Sequence, residues 1–469
     1  MPRRLLIVAT LSIVLCAYAP TVAPSADAET PDIRSGHPAS KPILTLTDAI
    51  RVGLDRHPSL EQSRYASQAA KAITKQIQGD RYPWLEASVA GTSGSLRIVT
   101  TDGRTIHDRG GHGFDPGGAL PHHNQNMLTG GLLVNQLITD FGYTAHRILA
   151  SQATEAASEK ALLTKKALVV LNVQKAYLQC LLQGQLIRVT EETLKRRRAV
   201  RDQVESLYRH QLRSKVDLDL IGVETSNAEL ALIRAHNDFT SNVALLNNAM
   251  GIQGPDTYEL RGIDISVVSP PEIDTLLKDG LRDRPELLGG RDKIQASDEL
   301  LQAVKALHFG SVSAVGSIGA TKYWDAHDSG IHDDQVAPFW GVGATARLPL
   351  FTGFKIRNQI AQASHLRGEA EYELQDVANE VVLQIIRASL TQTTNAEQIA
   401  LEQQRVEYAK EALTLAQERY RIGLSPIIDV IRATAVAFEA ESGLAEAQYI
   451  YKTSEVVVAY ATGQDHKRY

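Results

Sequence analysis

Cysteine, methionine and aromatic residues are all scarce in this chain, which has 2 Cys, 3 Met and only 6% Phe, Trp and Tyr in 469 residues. So few cysteines exclude a disulfide-stapled scaffold. Few aromatics and abundant Ala, Gln, Glu and Leu argue for long amphipathic helices rather than a mixed globular core. Positive charge is not in excess: 49 Lys and Arg face 54 Asp and Glu, a net charge of −5. No basic field therefore points to nucleic acid. The one basic run, Lys195-Arg196-Arg197-Arg198, lies beside Glu191 and Glu192 and is expected to form a solvated helix face. No stretch after the N-terminus approaches the ~20 apolar residues of a membrane-spanning helix. Also missing, in any suitable context, are a Gly-rich phosphate loop, metal-ligand spacing and a Ser-His-Asp arrangement. The expectation is a protein that is not an enzyme and has no cofactor and no metal.

The N-terminus reads as an export signal spanning 1–28. Arg3 and Arg4 precede an apolar stretch from Leu5 to Ala17, and Ala26-Asp27-Ala28 fits an A-x-A cleavage site, leaving Glu29 as the mature start. Cys16 would admit a lipid anchor, but the residue before it, Leu15, is not the small one such a site uses. Without the signal Cys180 is the only cysteine, so an intramolecular disulfide is impossible.

What the chain does have is itself, twice. Tyr208, Leu212, Asp217, Ala235 and Gly251 reappear 212 positions later as Tyr420, Leu424, Asp429, Ala447 and Gly463, without a gap. Upstream, at a spacing of 227, Leu54, Pro58 and Leu60 match Leu281, Pro285 and Leu287. Two copies of one long unit mean that each is half of a built object. The expected division is a first repeat at 44–254 and a second at 270–464. Around them lie an N-terminal extension at 29–43, a linker at 255–269 and a tail at 465–469.

Each copy opens with a helix broken at a proline, His57-Pro58 in one and Arg284-Pro285 in the other. The pattern then switches to period two. Trp340, Val342, Ala344, Ala346, Leu348 and Leu350 alternate with Phe339, Gly341, Gly343, Thr345 and Arg347. An apolar face opposite a small or polar one suits a barrel wall between lipid and water. Strand pairs are expected at about 85–138 and 312–351. Tyr323, Trp324, Phe339 and Trp340 cluster round one turn, as aromatics do at a membrane–water interface. The first copy's longer connection, 102–126, is rich in Gly and His and reads as an exposed loop rather than a metal site. Long proline-free helices follow, folded into hairpins at about 143–250 and 355–462, with Tyr420-Arg421-Ile422-Gly423-Leu424-Ser425-Pro426 at one tip.

Four strands per chain cannot close a barrel, and an open sheet in lipid leaves unpaired edges. Three chains would supply 12 strands; two chains and 8 strands remain open, though side chains would fill so small a barrel. The fold class expected is a mixed α and β membrane protein, a trimeric 12-stranded barrel continued by an α-helical coiled-coil tunnel. A secreted or periplasmic coiled-coil scaffold would explain the helices and the signal, but not two strand pairs with aromatic ends.

Several segments in order resemble the TolC-like outer-membrane efflux proteins. They are Ala49 to Pro58, Asp140-Phe141-Gly142, Phe351-Thr352-Gly353-Phe354, and Tyr420 through Ile431. The resemblance covers nearly everything after the signal. It implies a homotrimer in outer-membrane lipid, an exit duct of a tripartite efflux or type I secretion system. Its partners would be a periplasmic adaptor and an inner-membrane pump or ABC exporter. The helical end, in the periplasm, would be closed until the adaptor docks. By the same resemblance Tyr420 and Asp217 belong to bonds holding one hairpin against the other. Asp429 belongs to an acidic ring that would attract cations. Arg432, one turn on, could pair with Asp429. Ser425 stands where an arginine is expected, and Arg213 supplies a basic residue at the equivalent place of the first copy, so the closing link could be rebuilt with reversed partners. Ile422, Gly423, Leu424 and Ser425, with Gln211 and Leu212, match the adaptor-docking tips. Because Gln211 replaces glycine, the two tips are expected to differ.

Overall fold

Proline and capping residues set the order of the first helices. In the computed structural model, which describes residues 42–95, 124–268, 271–325 and 335–464, Thr45 accepts a bond from Asp48 N and starts α1 (Leu46–Arg56). Pro58 then sits at the first turn of α2 (Pro58–Gly79), where its missing N–H costs nothing. The signal segment, Cys16, the 102–126 loop as far as residue 123, and the tail lie outside the described residues.

The remaining elements follow in two matching series. After β1 (Ile43–Leu44), α1 and α2 come β2 (Trp84–Ser95), β3 (Asn124–Thr139), α3 (Tyr143–Arg209) and α4 (Lys215–Ala249). After β4 (Glu259–Leu260) come α5 (Ile273–Asp283), α6 (Pro285–Ala306), β5 (Ser311–Asp325), β6 (Gln335–Arg347), α7 (Lys355–Arg421) and α8 (Ile427–Ala461). Helix lengths match pairwise: 11 residues in α1 and α5, 22 in α2 and α6, 67 in α3 and α7, 35 in α4 and α8. A helix of 67 residues runs about 100 Å. No helix among the described residues is long and apolar enough to cross a membrane.

β2, β3, β5 and β6 form one antiparallel sheet in that order, so the strand pair of each half joins its counterpart through β3 and β5. β6 ends at Arg347, short of the Leu350 expected from the alternation. Pro349 has no N–H to continue the ladder. The 255–269 linker is not merely connecting chain. Its Glu259–Leu260 pairs in parallel with Ile43–Leu44, and the buried Tyr177 hydroxyl reaches Leu44 O (2.9 Å) and Arg261 O (2.7 Å). That site is dry enough to push the Tyr177 hydroxyl and the nearby Cys180 thiol each up to about 12. Tyr177 belongs to the largest apolar cluster, with Ile50, Val173, Leu178, Leu246 and Met250.

The basic run of α3 is solvated in part, with Lys195 and Arg198 exposed, but Arg196 and Arg197 are half-buried in ion pairs. Arg196 meets Glu441 of α8 (3.0 Å), Arg197 meets Glu224 of α4 (3.0 Å), and Arg198 meets Glu229 (2.7 Å). Packing brings carboxylates of two other helices over this face, which a reading of one helix's own neighbours could not anticipate. At the second proline break, buried Arg284 binds Glu286 through Nε and Nη2, at 3.0 and 3.1 Å. Its Nη1 reaches Gln384 and Ala461 O, and the guanidinium lies over the Tyr460 ring.

Candidate functional site

The α3–α4 and α7–α8 connections share one backbone solution. α3 ends with Gln211 N donating to Tyr208 O (2.9 Å) and Leu212 N to Leu207 O (2.9 Å). α7 ends with Gly423 N on Tyr420 O (3.1 Å) and Leu424 N on Arg419 O (2.8 Å). Both are Schellman closures, which need one left-handed residue. Gly423 provides it at φ +83°, and Gln211 is forced into it at φ +60°. The expected inequality of the tips is therefore one of strain and side chains, since the backbone is shared.

Arg213 connects the tips. Its Nη2 donates to the Tyr420 carbonyl at 3.0 Å, and its guanidinium stands 4.5 Å from the Tyr420 ring centroid. That carbonyl thus accepts two bonds, from Arg213 and from Gly423 N. Tyr420 itself is buried among Val200, Val204, Ile221, Ile427 and Val430, drawn from the other three long helices. Among the described residues its hydroxyl has no hydrogen-bond partner, Asp217 included. Burial raises the Tyr420 pKa; the Arg213 charge opposes this and the Asp217 charge adds to it. Ser425 is buried with an unpartnered Oγ. Asp429 and Arg432 are both exposed, and no ion pair joins them among the described residues. Ile422 and Leu424, like Leu212, stand out from the tips at 58%, 67% and 69% exposure.

Register sorts the sheet into two faces. Leu85, Val89, Leu132, Val134, Ile318, Trp340 and Val342 share one, and all are exposed. Ser88, Thr129, Gly131, Gly319, Thr321 and Phe339 share the other, with Thr129 and Thr321 hydroxyls 3.1 Å apart. The four aromatics grouped from sequence are thereby divided. Trp340 and the position of Trp324 are on the apolar face, while Phe339 and the position of Tyr323 are on the small-residue face. Consecutive strand residues point to opposite sides, so Phe339 and Trp340 do not keep their rings together. The side chains of Tyr323 and Trp324 lie outside the described part.

Sequence reading missed a second aromatic group, at the helix-side ends of the strands. Phe141 and Phe309 pair at 6.0 Å, Phe351 and Phe354 pair at 5.7 Å, and all four are exposed. The signal was an aromatic at each strand–helix junction. Among the described residues there is no cluster of His, Cys, Asp or Glu that could hold a metal.

The chain matches the family described as outer membrane efflux protein over residues 49–252 and again over 276–464. Outer membrane protein TolC of Salmonella enteritidis is 23% identical over 314 residues, 64% of this chain and 62% of that protein. The chain therefore spans under two thirds of that relative. TolC of Escherichia coli (strain K12) is 23% identical over 358 residues, covering 72% of this chain and 70% of that protein. Among solved structures, the outer membrane protein VceC from Vibrio cholerae superposes with a TM-score of 0.74 at 18% identity, covering 89% of this chain and 96% of that chain. The chain belongs to the outer membrane efflux protein family. The family description places it among outer-membrane proteins of efflux.

Proposed function

We propose that this chain forms, as a homotrimer, the exit duct of a tripartite efflux or type I secretion system. The observation that carries this reading is a four-stranded sheet with one exposed apolar face and two open edges, β2 and β6. In lipid such edges cost several kcal/mol per unpaired group, so the sheet must close with other copies. Three copies give 12 strands around a lumen, with the apolar face on lipid and the Ser, Thr and Gly face on water. The helices support the same assembly. Val216, Val223 and Leu230 on α4, and Leu401, Tyr408 and Leu415 on α7, are exposed apolar residues seven apart. A heptad stripe without a partner in its own chain is the seam of a coiled coil with a neighbour.

On this reading the two tandem repeats are 44–254 and 270–464, and the hairpins extend the barrel as a tunnel into the periplasm. The tips are its gate. Arg213 holds the first-repeat tip to the Tyr420 carbonyl, so the closing link runs from the first copy to the second. Three Asp429 carboxylates on the trimer axis, with Arg432 nearby, form the cation-attracting aperture, and Asp217 stands by. Ile422, Gly423, Leu424 and Ser425, with Gln211 and Leu212, meet the adaptor, through which an inner-membrane pump or ABC exporter delivers cargo. Planar-bilayer recording of detergent-purified protein tests this. A small conductance that rises several-fold in Arg213→Ala supports the duct and its gate. Protein that is soluble without detergent, monomeric and silent in bilayers sinks the reading and favours a coiled-coil scaffold.

A further inference from the structure

Phe339 lies well within the small-residue face, which Trp84 at the start of β2 and the position of Tyr323 near the end of β5 also join. It sits inside β6, on the small-residue face, in a cross-strand row with Gly319, Gly131 and Ser88. A Cβ built on Gly319 would collide with Gly130 O and lie 2.6 Å from Phe339 Cζ, and one built on Gly131 would lie 2.8 Å from Ile318 O and 3.4 Å from Phe339 Cζ, so both the close β3–β5 backbone and the ring need glycine there. The side chain therefore does not stand up from the sheet. It lies across β5 toward β3, its tip over two residues that offer no side chain. Backbone covers one side of the ring and the rest stays open, leaving Phe339 37% exposed. Its neighbours on this face include Ser317, Thr321 and Gly341, with no carboxylate or cation in the same row.

On the barrel reading above, this face is the lumen wall, and each of three protomers contributes one such ring at the same height. Glycine at 131 and 319 does two things there. It keeps the ring flat, so the bore stays open, and it turns the ring's free side toward whatever passes. A phenyl ring in that position attracts cations through its quadrupole and offers apolar area to other rings. Hydrated metal ions gain little from it, because they keep their water. We propose that Phe339 is a specificity-determining contact of the exit, holding lipophilic or aromatic organic cations briefly within the barrel.

The test is single-channel block in planar bilayers. Tetraphenylphosphonium is added on the barrel side of wild-type, Phe339→Ala and Phe339→Trp channels, with tetramethylammonium as the cation lacking aromatic surface. The expected result is resolved interruptions by tetraphenylphosphonium in wild type and none by tetramethylammonium at equal concentration. Phe339→Ala should weaken block about fivefold, and Phe339→Trp should keep or strengthen it. A purely structural ring would alter channel yield or stability but leave the blocker's affinity alone. Equal block in wild type and Phe339→Ala overturns the proposal while leaving the duct intact. A wild-type chain that forms no channel overturns the barrel reading and this inference with it.

Discussion

The two hairpin tips have the same backbone and different chemistry. At the first, Gln211 occupies a left-handed turn that suits glycine, and Arg213 reaches out of the hairpin. At the second, Gly423 takes the turn without strain, and the buried Ser425 Oγ has no hydrogen-bond partner among the described residues. Ser214 caps α4 with its side chain, whereas Pro426 precedes α8 with no side-chain cap. One tip is thus the donor of the link and the other its acceptor. Two ends of matching backbone therefore carry unlike side-chain chemistry.

Breaking the donor should have the largest effect. Arg213→Ala removes the bond to the Tyr420 carbonyl and the stacked guanidinium, and single-channel conductance should rise several-fold. Ser425→Ala, at the equivalent place, should leave it unchanged. Equal behaviour of the two variants would erase the asymmetry. Asp429→Ala should next reduce cation block of the channel clearly, and Asp217→Ala should do so far less, if only the second-copy carboxylates ring the axis; blocker titrations decide.

Tyrosine ionisation provides a smaller, sharper probe. The Tyr420 pKa is raised above 10.0, chiefly by burial. A neutral hydroxyl is therefore favoured in the tip as packed here. That contribution is complete below pH 10, the ordinary value, and is lost as pH climbs toward the raised folded value. Conductance of wild type should increase in that window, and Tyr420→Phe should flatten the rise. At neutral pH Tyr420→Phe should change little, because the hydroxyl has no hydrogen-bond partner among the described residues. The smallest effect concerns strain. Gln211→Gly should stabilise the first tip by about 1 kcal/mol, and Gly423→Gln should destabilise the second by about as much. Amide hydrogen exchange of the two hairpins reads both.

Much of the architecture was legible because local periods announce it. The gapless match of Tyr208 to Tyr420 and Gly251 to Gly463 foretold two helical hairpins, and 67- and 35-residue helices appear in each half. Alternation from Phe339 to Arg347 foretold a strand with two unlike faces. The same alternation, carried one step further, separates Phe339 from Trp340, and grouping them by nearness in sequence hid this. Arg196 and Arg197 of α3 looked solvated because their partners, Glu441 and Glu224, lie on other helices. The pairing of Ile43–Leu44 with Glu259–Leu260 was hidden because two-residue strands carry no period at all.

By itself, the amino-acid sequence determined the helices, the strands, their order and the duplication. Those follow from side-chain periods of 3.6 and 2 and from prolines and glycines that act on their own neighbourhood. Only the tertiary structure decided what the tips do to each other. Arg213 and Tyr420 stand 207 residues apart, and the bond uses a backbone carbonyl, which every residue carries and no sequence pattern marks. Which of many identical acceptors an arginine meets is a matter of helix packing, and that packing is set by the buried cluster of Val200, Val204, Ile221, Tyr420, Ile427 and Val430 beneath it.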